Sequence, residues 1–384
     1  MRALRLQEST AMPASRRQFL AHCTAAAAAT AAPVFAQTQA VPAARRFDPQ
    51  PQGWRSFEVT TRVDLAPLQG VTKVWIPLPS LDTGWQRTLT HGFASNGQAR
   101  LTEDGREGAR MLAVEFAPGQ AQPFAEVTSR VATQNRAVDW SRRTGATESA
   151  DTLRFYTRAT ALLPTDGIVR ETALKATQGA RTDAQKARAI YDWVVANTYR
   201  EPKVRGCGEG DIATLLETGD LGGKCADLNA LFVGLCRAVG VPARDVYGLR
   251  LAPSAFGYKE LGGNPASLKG AQHCRAEVHL AGHGWVAMDP ADVAKVMRLE
   301  TPAWIKTVQD PVVAPVNRAL FGGWEGNWMA YNTAHDLQLP GARGEPLGFF
   351  MYPMAENAQG RFDPYAPDDF KYQITARETT INKV

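Results

Sequence analysis

Cysteine is scarce in this sequence: Cys23, Cys207, Cys225, Cys236 and Cys274 are the five in 384 residues. So sparse and irregular a set, in a chain long enough to bury a full core, excludes a disulfide-held scaffold. Long apolar runs are also lacking. No stretch beyond residue 36 approaches the ~18 apolar residues of a membrane span, so none is expected. Nor is there much charge of one sign. The formal net charge is +5, of which residues 1–36 hold +3 through four arginines against Glu8; the remaining +2 gives no footing to nucleic-acid binding. Internal repeats and a calcium-binding loop are absent, and no cofactor is expected.

What is present begins as an address. Ser15-Arg16-Arg17-Gln18-Phe19-Leu20 has the form of a twin-arginine signal, Ala25 to Ala32 is weakly apolar, and Val34-Phe35-Ala36 suits a signal peptidase. Residues 1–36 are therefore expected to be a signal peptide, with the mature protein exported to the periplasm by the twin-arginine route. Four cysteines remain after cleavage. In an oxidising compartment one bridge, Cys207 to Cys274, is open, and Cys236 reads as a buried thiol.

Three segments follow. Residues 44–163 alternate as strands do, for example Phe57-Glu58-Val59-Thr60-Thr61-Arg62-Val63, and predict an N-terminal β-sandwich. Residues 164–300 change period. Pro164 to Thr177 and the stretch capped by Thr182 predict helices, a third helix starts at Cys225 and stops at Gly240-Val241-Pro242, and strands return at Arg244–Leu251, His273–Leu280 and Trp285–Asp289. Residues 301–384 mix aromatic runs with Pro and Gly and predict a β-rich C-terminal extension. The fold class is α+β.

The chemistry centres on Gly222-Gly223-Lys224-Cys225. A thiol at a helix N-terminus loses its proton more readily, because unpaired N–H groups favour an anion there. Gly222 and Gly223 would leave room for a substrate backbone, and the Cys225 N–H could donate to an oxyanion. His273 opens one strand and Asp289 closes the next, which supplies nucleophile, base and orienter in order. His273, Cys274, His279 and His283 fit no zinc spacing, and no metal site is assigned.

These residues resemble the transglutaminase-like superfamily, relatives of the papain-like cysteine enzymes. Gly222-Gly223-Lys224-Cys225, Gly240-Val241-Pro242-Ala243-Arg244, His273 with Glu277, and Gly284-Trp285 through Asp289-Pro290 match its motifs in order over residues 168–296. The resemblance implies a papain-like core in which Cys225 is nucleophile, His273 general base and Asp289 orienter. Arg275 stands where the family has tryptophan. It could bind a substrate carboxylate, or pair with Glu277 on its own face of the strand. A tight hairpin at Ala281–Gly284 would leave His273 about 10 Å from Asp289, so a bulge or longer connection is expected. Tyr199, Asn229 and Gln272 are candidate oxyanion donors, and His335-Asp336 is a pair without visible partner.

The function implied is cysteine-dependent acyl transfer on a peptide or protein amide, cell-wall peptides among the candidates, with hydrolysis ahead of transamidation to an amine. The alternative is a non-catalytic peptide- or glycan-binding module on the same core.

Overall fold

Alternation of apolar and polar side chains builds the N-terminal strands. In a computed structural model that describes residues 45–66, 70–366, 368 and 370–380, Phe57, Val59, Thr61 and Val63 point inward from β1 (Arg55–Asp64) while Glu58, Thr60 and Arg62 are less buried. Then come β2 (Thr72–Pro77), β3 (Gln86–Ser95), β4 (Gln98–Glu103), β5 (Arg110–Phe116), β6 (Phe124–Thr133) and the two-residue β7 (Arg136–Ala137). The signal segment expected at 1–36 lies outside the described residues.

The middle of the chain is helical. It comprises α1 (Ala150–Phe155), α2 (Gly167–Ala176), α3 (Asp183–Asn197) and α4 (Ile212–Thr218), with the short strands β8 (Tyr199–Arg200) and β9 (Gly222–Gly223) on either side of α4. Thr182 and Gln185 form a capping box on α3. The central helix α5 (Cys225–Ala238) ends as its sequence demands. Gly240 adopts φ +80°, its N–H donates to the Arg237 carbonyl, the Val241 N–H donates to the Cys236 carbonyl, and Pro242 prevents continuation. Every residue of α5 but Asp227 is buried.

Strands β10 (Ala243–Arg250), β11 (Gln272–Leu280) and β12 (Gly284–Met288) follow, then α6 (Pro290–Leu299) and α7 (Ala314–Ala319), and finally β13 (Gly323–Trp324), β14 (Trp328–Asn332), β15 (Met354–Asn357), β16 (Gly360–Arg361) and β17 (Lys371–Thr379). The central sheet runs β12-β11-β10-β14, all antiparallel, with α5 packed on β10 and β11 and α2, α3, α4 and α6 around it. Two further sheets, β17-β1-β6-β3 and β16-β15-β2-β5-β4, share one apolar core that includes Phe57, Val74, Val114, Val127 and Ile374. This is the β-sandwich on an α+β, papain-like core.

The C-terminal residues are shared between these sheets. β14 completes the central sheet, while β15 and β17 complete the sandwich by pairing with β2 and β1. The described residues form one compact unit. Among the described residues no helix is long and apolar enough to cross a membrane.

Candidate active site

Cys225 is the first residue of α5, where no side chain caps the helix from the usual position. Asp227 compensates. Its carboxylate accepts from the backbone N–H groups of Lys224 (2.8 Å), Glu209 (2.9 Å) and Gly210 (3.0 Å), pinning the preceding loop over the first turn. Gly208 is required there: it adopts φ +91°, and a Cβ on it would fall 1.9 Å from an Asp227 oxygen. Gly222 and Gly223 do not clear space for a substrate. A Cβ on Gly222 would strike the Tyr199 ring at 2.5 Å, and one on Gly223 would strike Asp227 Cβ at 2.7 Å. Their missing side chains are filled by the protein itself.

Strand pairing explains how His273 meets Asp289. Leu280 aligns with Gly284 and Ala276 with Met288, without a bulge, so a three-residue turn joins β11 to β12. The expected bulge or longer connection is not needed. Asp289 leaves the strand to become the N-cap of α6, where continued register would set it opposite Arg275, and His273 lies two residues further along the same strand face. From there the Asp289 side chain spans to His273, Nε2 to Oδ2 2.8 Å. The other oxygen of Asp289 accepts from Asn229 Nδ2 (3.2 Å) and the Asp292 N–H (3.1 Å).

A second carboxylate completes the cradle. Asp292 Oδ2 lies 3.4 Å from His273 Nε2, and its Oδ1 accepts from Arg250 at 2.6 Å. Burial and Arg250 oppose the imidazolium, but Asp292 and Asp289 outweigh them and push its pKa up to about 9. Burial would raise Asp292, yet Arg250 and His273 hold it well below the usual carboxylate range. The Cys225 thiol is pulled well below its ordinary value by hydrogen bonding from Cys207 and Cys274, with His273 adding to the effect against burial. The pair therefore favours thiolate and imidazolium.

All four described cysteines are free. The Cys207–Cys274 bridge left open by the sequence is not formed. Cys207 Sγ lies 3.3 Å from the Gln272 carbonyl oxygen and accepts from the Tyr352 hydroxyl (3.0 Å).

Arg275 corrects both expectations made for it. Its side chain is 2% exposed and does not reach the cleft. Its Nη1 donates to the Glu325 carbonyl (3.1 Å), its Nε lies 3.5 Å from Asp289 Oδ2, and its guanidinium stacks over Trp328 and Trp324 at 4.6 and 5.2 Å. Burial pushes its pKa down to about 10. Glu277 instead pairs with Arg136 and with Arg244, the latter at 2.6 Å.

Of the oxyanion candidates, Tyr199 is engaged by Asp220 (2.7 Å), and Asn229 by the Cys274 carbonyl (2.8 Å) and Asp289. Gln272 remains, both polar atoms of its buried amide lacking hydrogen-bond partners. It lines a cavity of about 50 Å³ with Cys225, His273 and Asp292. A surface cleft of about 540 Å³ beside β17 shares no lining residue with that cavity. His335 does have a partner: its Nε2 lies 3.2 Å from Asp245, both buried.

His273, Asp289 and Asp292 place three potential ligand atoms within 4.8 Å of one another. The guanidiniums of Arg250 and Arg275 already bring positive charge to these carboxylates, so the cluster is that of an ion-paired histidine cradle. Sequence reasoning missed Asp292 and Arg250. Asp292 had a signal, for Asp289-Pro290-Ala291-Asp292 is an N-cap, a proline at the first helical position and an acid in the first turn.

An antiparallel sheet packed on a helix that begins with cysteine, with histidine on one strand and aspartate capping the helix that follows the next, defines a papain-like core. Residues 170–290 match the family model described as the transglutaminase-like superfamily. An uncharacterized protein of Haemophilus influenzae is 35% identical over 342 residues, covering 84% of this chain and 91% of its own length. The crystal structure of a protein proposed to be a cysteine protease, from Cytophaga hutchinsonii, matches with a TM-score of 0.53 at 15% identity, over 87% of this chain and 94% of that one, and shares the fold. The chain belongs to the transglutaminase-like superfamily.

Proposed function

We propose that this protein is a cysteine-dependent acyl-transfer enzyme that hydrolyses a peptide or amide bond. The observation that carries this reading is the His273 imidazole, clasped between the Asp289 and Asp292 carboxylates beside the Cys225 sulfur at the head of α5. The thiolate attacks the amide carbon, and the tetrahedral oxyanion is met by the Cys225 N–H and Gln272. Collapse breaks the C–N bond as His273 gives its proton to the leaving amine, which leaves a thioester. Water, activated by the then neutral His273, resolves the thioester to a carboxylic acid and returns the thiolate. An amine acceptor in place of water would make the same site a transglutaminase.

Export by the twin-arginine route would place this activity in the periplasm, where cell-wall peptides are candidate substrates. Mature protein incubated with a periplasmic peptide pool, with Cys225→Ala as control, tests the reading by mass spectrometry. New termini that depend on Cys225 support hydrolysis, and isopeptide-linked products support transamidation. Peptide retention without any Cys225-dependent product would instead indicate a binding module.

A further inference from the structure

Besides the His273 imidazolium, which Asp289 and Asp292 clasp, three cationic side chains line the Cys225 cavity, Arg200, Arg250 and Lys295. Two are already matched: Arg250 pairs with Asp292, and Lys295 lies 3.5 Å from a Glu260 oxygen. Arg200 has no carboxylate within ion-pair distance among the described residues, and its Nε is buried without a hydrogen-bond partner. A buried donor in that state is unfavourable until an acceptor arrives. The backbone of Arg200 is fixed, because β8 pairs in parallel with β9 and Arg200 aligns with Gly223, two residues before the nucleophile.

We propose that Arg200 is a specificity residue that binds a free carboxylate on the acyl substrate, next to the scissile amide. Acidic side chains and C-terminal residues are the groups of that chemistry. The proposal rests on the acyl-transfer reading of the site. A guanidinium suits the task because its fixed fork of N–H donors matches two carboxylate oxygens. Arg200 takes no part in bond making: the C–S bond forms at Cys225, the C–N bond breaks, and the proton travels through His273. The carboxylate-reading role that the sequence suggested for Arg275 falls to Arg200, which lines the cavity where Arg275 does not.

Two small alkylating reagents test this without a known substrate. Iodoacetate and iodoacetamide both form a C–S bond with the thiolate and expel iodide, but only iodoacetate carries a carboxylate. Their rate ratio at Cys225, followed by mass spectrometry, removes any common effect on the thiolate. In the wild-type protein the iodoacetate-to-iodoacetamide ratio should exceed that of the urea-unfolded chain about tenfold, the scale of one charge-assisted contact. Arg200→Gln should abolish most of that preference and Arg200→Lys should keep part of it, with circular dichroism confirming that each is folded. A wild-type ratio equal to that of the unfolded chain, or an unchanged ratio in Arg200→Gln, would overturn the proposal while leaving the nucleophile intact. Failure of both reagents to modify Cys225 would overturn the acyl-transfer reading, and this proposal with it.

Discussion

Arg244, Glu277 and Trp285 belong to three separate sequence motifs, yet they meet in one contact. Arg244 aligns with Glu277 across β10 and β11, pairs with it at 2.6 Å, and lies 4.0 Å over the Trp285 ring. Arg136 closes the cluster from the other side. Glu277→Gln would leave two largely buried guanidiniums without their shared acid and should cost about 3–5 kcal/mol, read as a fall in Tm and in urea midpoint. Arg275 acts differently, by fixing Asp289 from behind. Arg275→Met should lower kcat about tenfold with little change in KM, since Asp289 loses a neighbour and the cavity loses nothing. Cys225, His273 and Asp289 were legible because each sits at the end of an element whose pattern is plain. Arg250 and Arg200 were not, because their importance arises only from which strand or loop faces them after folding.

The start of α5 depends on the loop that precedes it. Asp227 ties the Glu209 and Gly210 N–H groups to that helix, and Gly208 makes the turn that permits it. Gly208→Ala combines a left-handed backbone with a Cβ driven into Asp227. It should release the loop, slow Cys225 alkylation and lower thermal stability, whereas Gly105→Ala, in open space, should do neither. Helix boundaries here were largely readable, since Thr182, Gly240 and Pro242 act locally. The β11–β12 geometry was only half readable. The sixteen-residue spacing of His273 and Asp289 was visible in the sequence, but not that Asp289 would leave the strand as a helix cap and reach across two residues.

On the scale of the whole molecule, β17 ties the sandwich to the site. It pairs with β1 along its length, while the Ile374 carbonyl accepts from the Leu268 N–H (2.8 Å) and the Ala376 N–H donates to the Pro265 carbonyl (2.9 Å), both on the loop that leads to His273. Deleting residues 371–384 should therefore destabilise the whole unit. Such a return of the last strand to the first could not be read from a pattern of aromatics and prolines, because strand order is set by packing between distant segments. The proposed export belongs to this scale too: if it holds, Arg16→Lys with Arg17→Lys should retain precursor in the cytoplasm, and normal delivery of that mutant would rule out the twin-arginine route. Stability should also depend on pH. The folded pKa of His273 lies above its unfolded value of about 6.5, so its contribution is full below that pH and is lost as pH rises through about 9. The urea midpoint should fall across that window, and less so in His273→Gln.

In the proposed mechanism Cys225 is a thiolate held beside a protonated His273. The most direct test is the rate of Cys225 alkylation by iodoacetamide between pH 5 and 10, in the wild type and in His273→Ala. The wild-type rate should stay high well below pH ~8.5, where an ordinary thiol is protonated, and the midpoint should move upward in His273→Ala. A wild-type midpoint at or above the ordinary value, or one that ignores the loss of His273, would contradict the account.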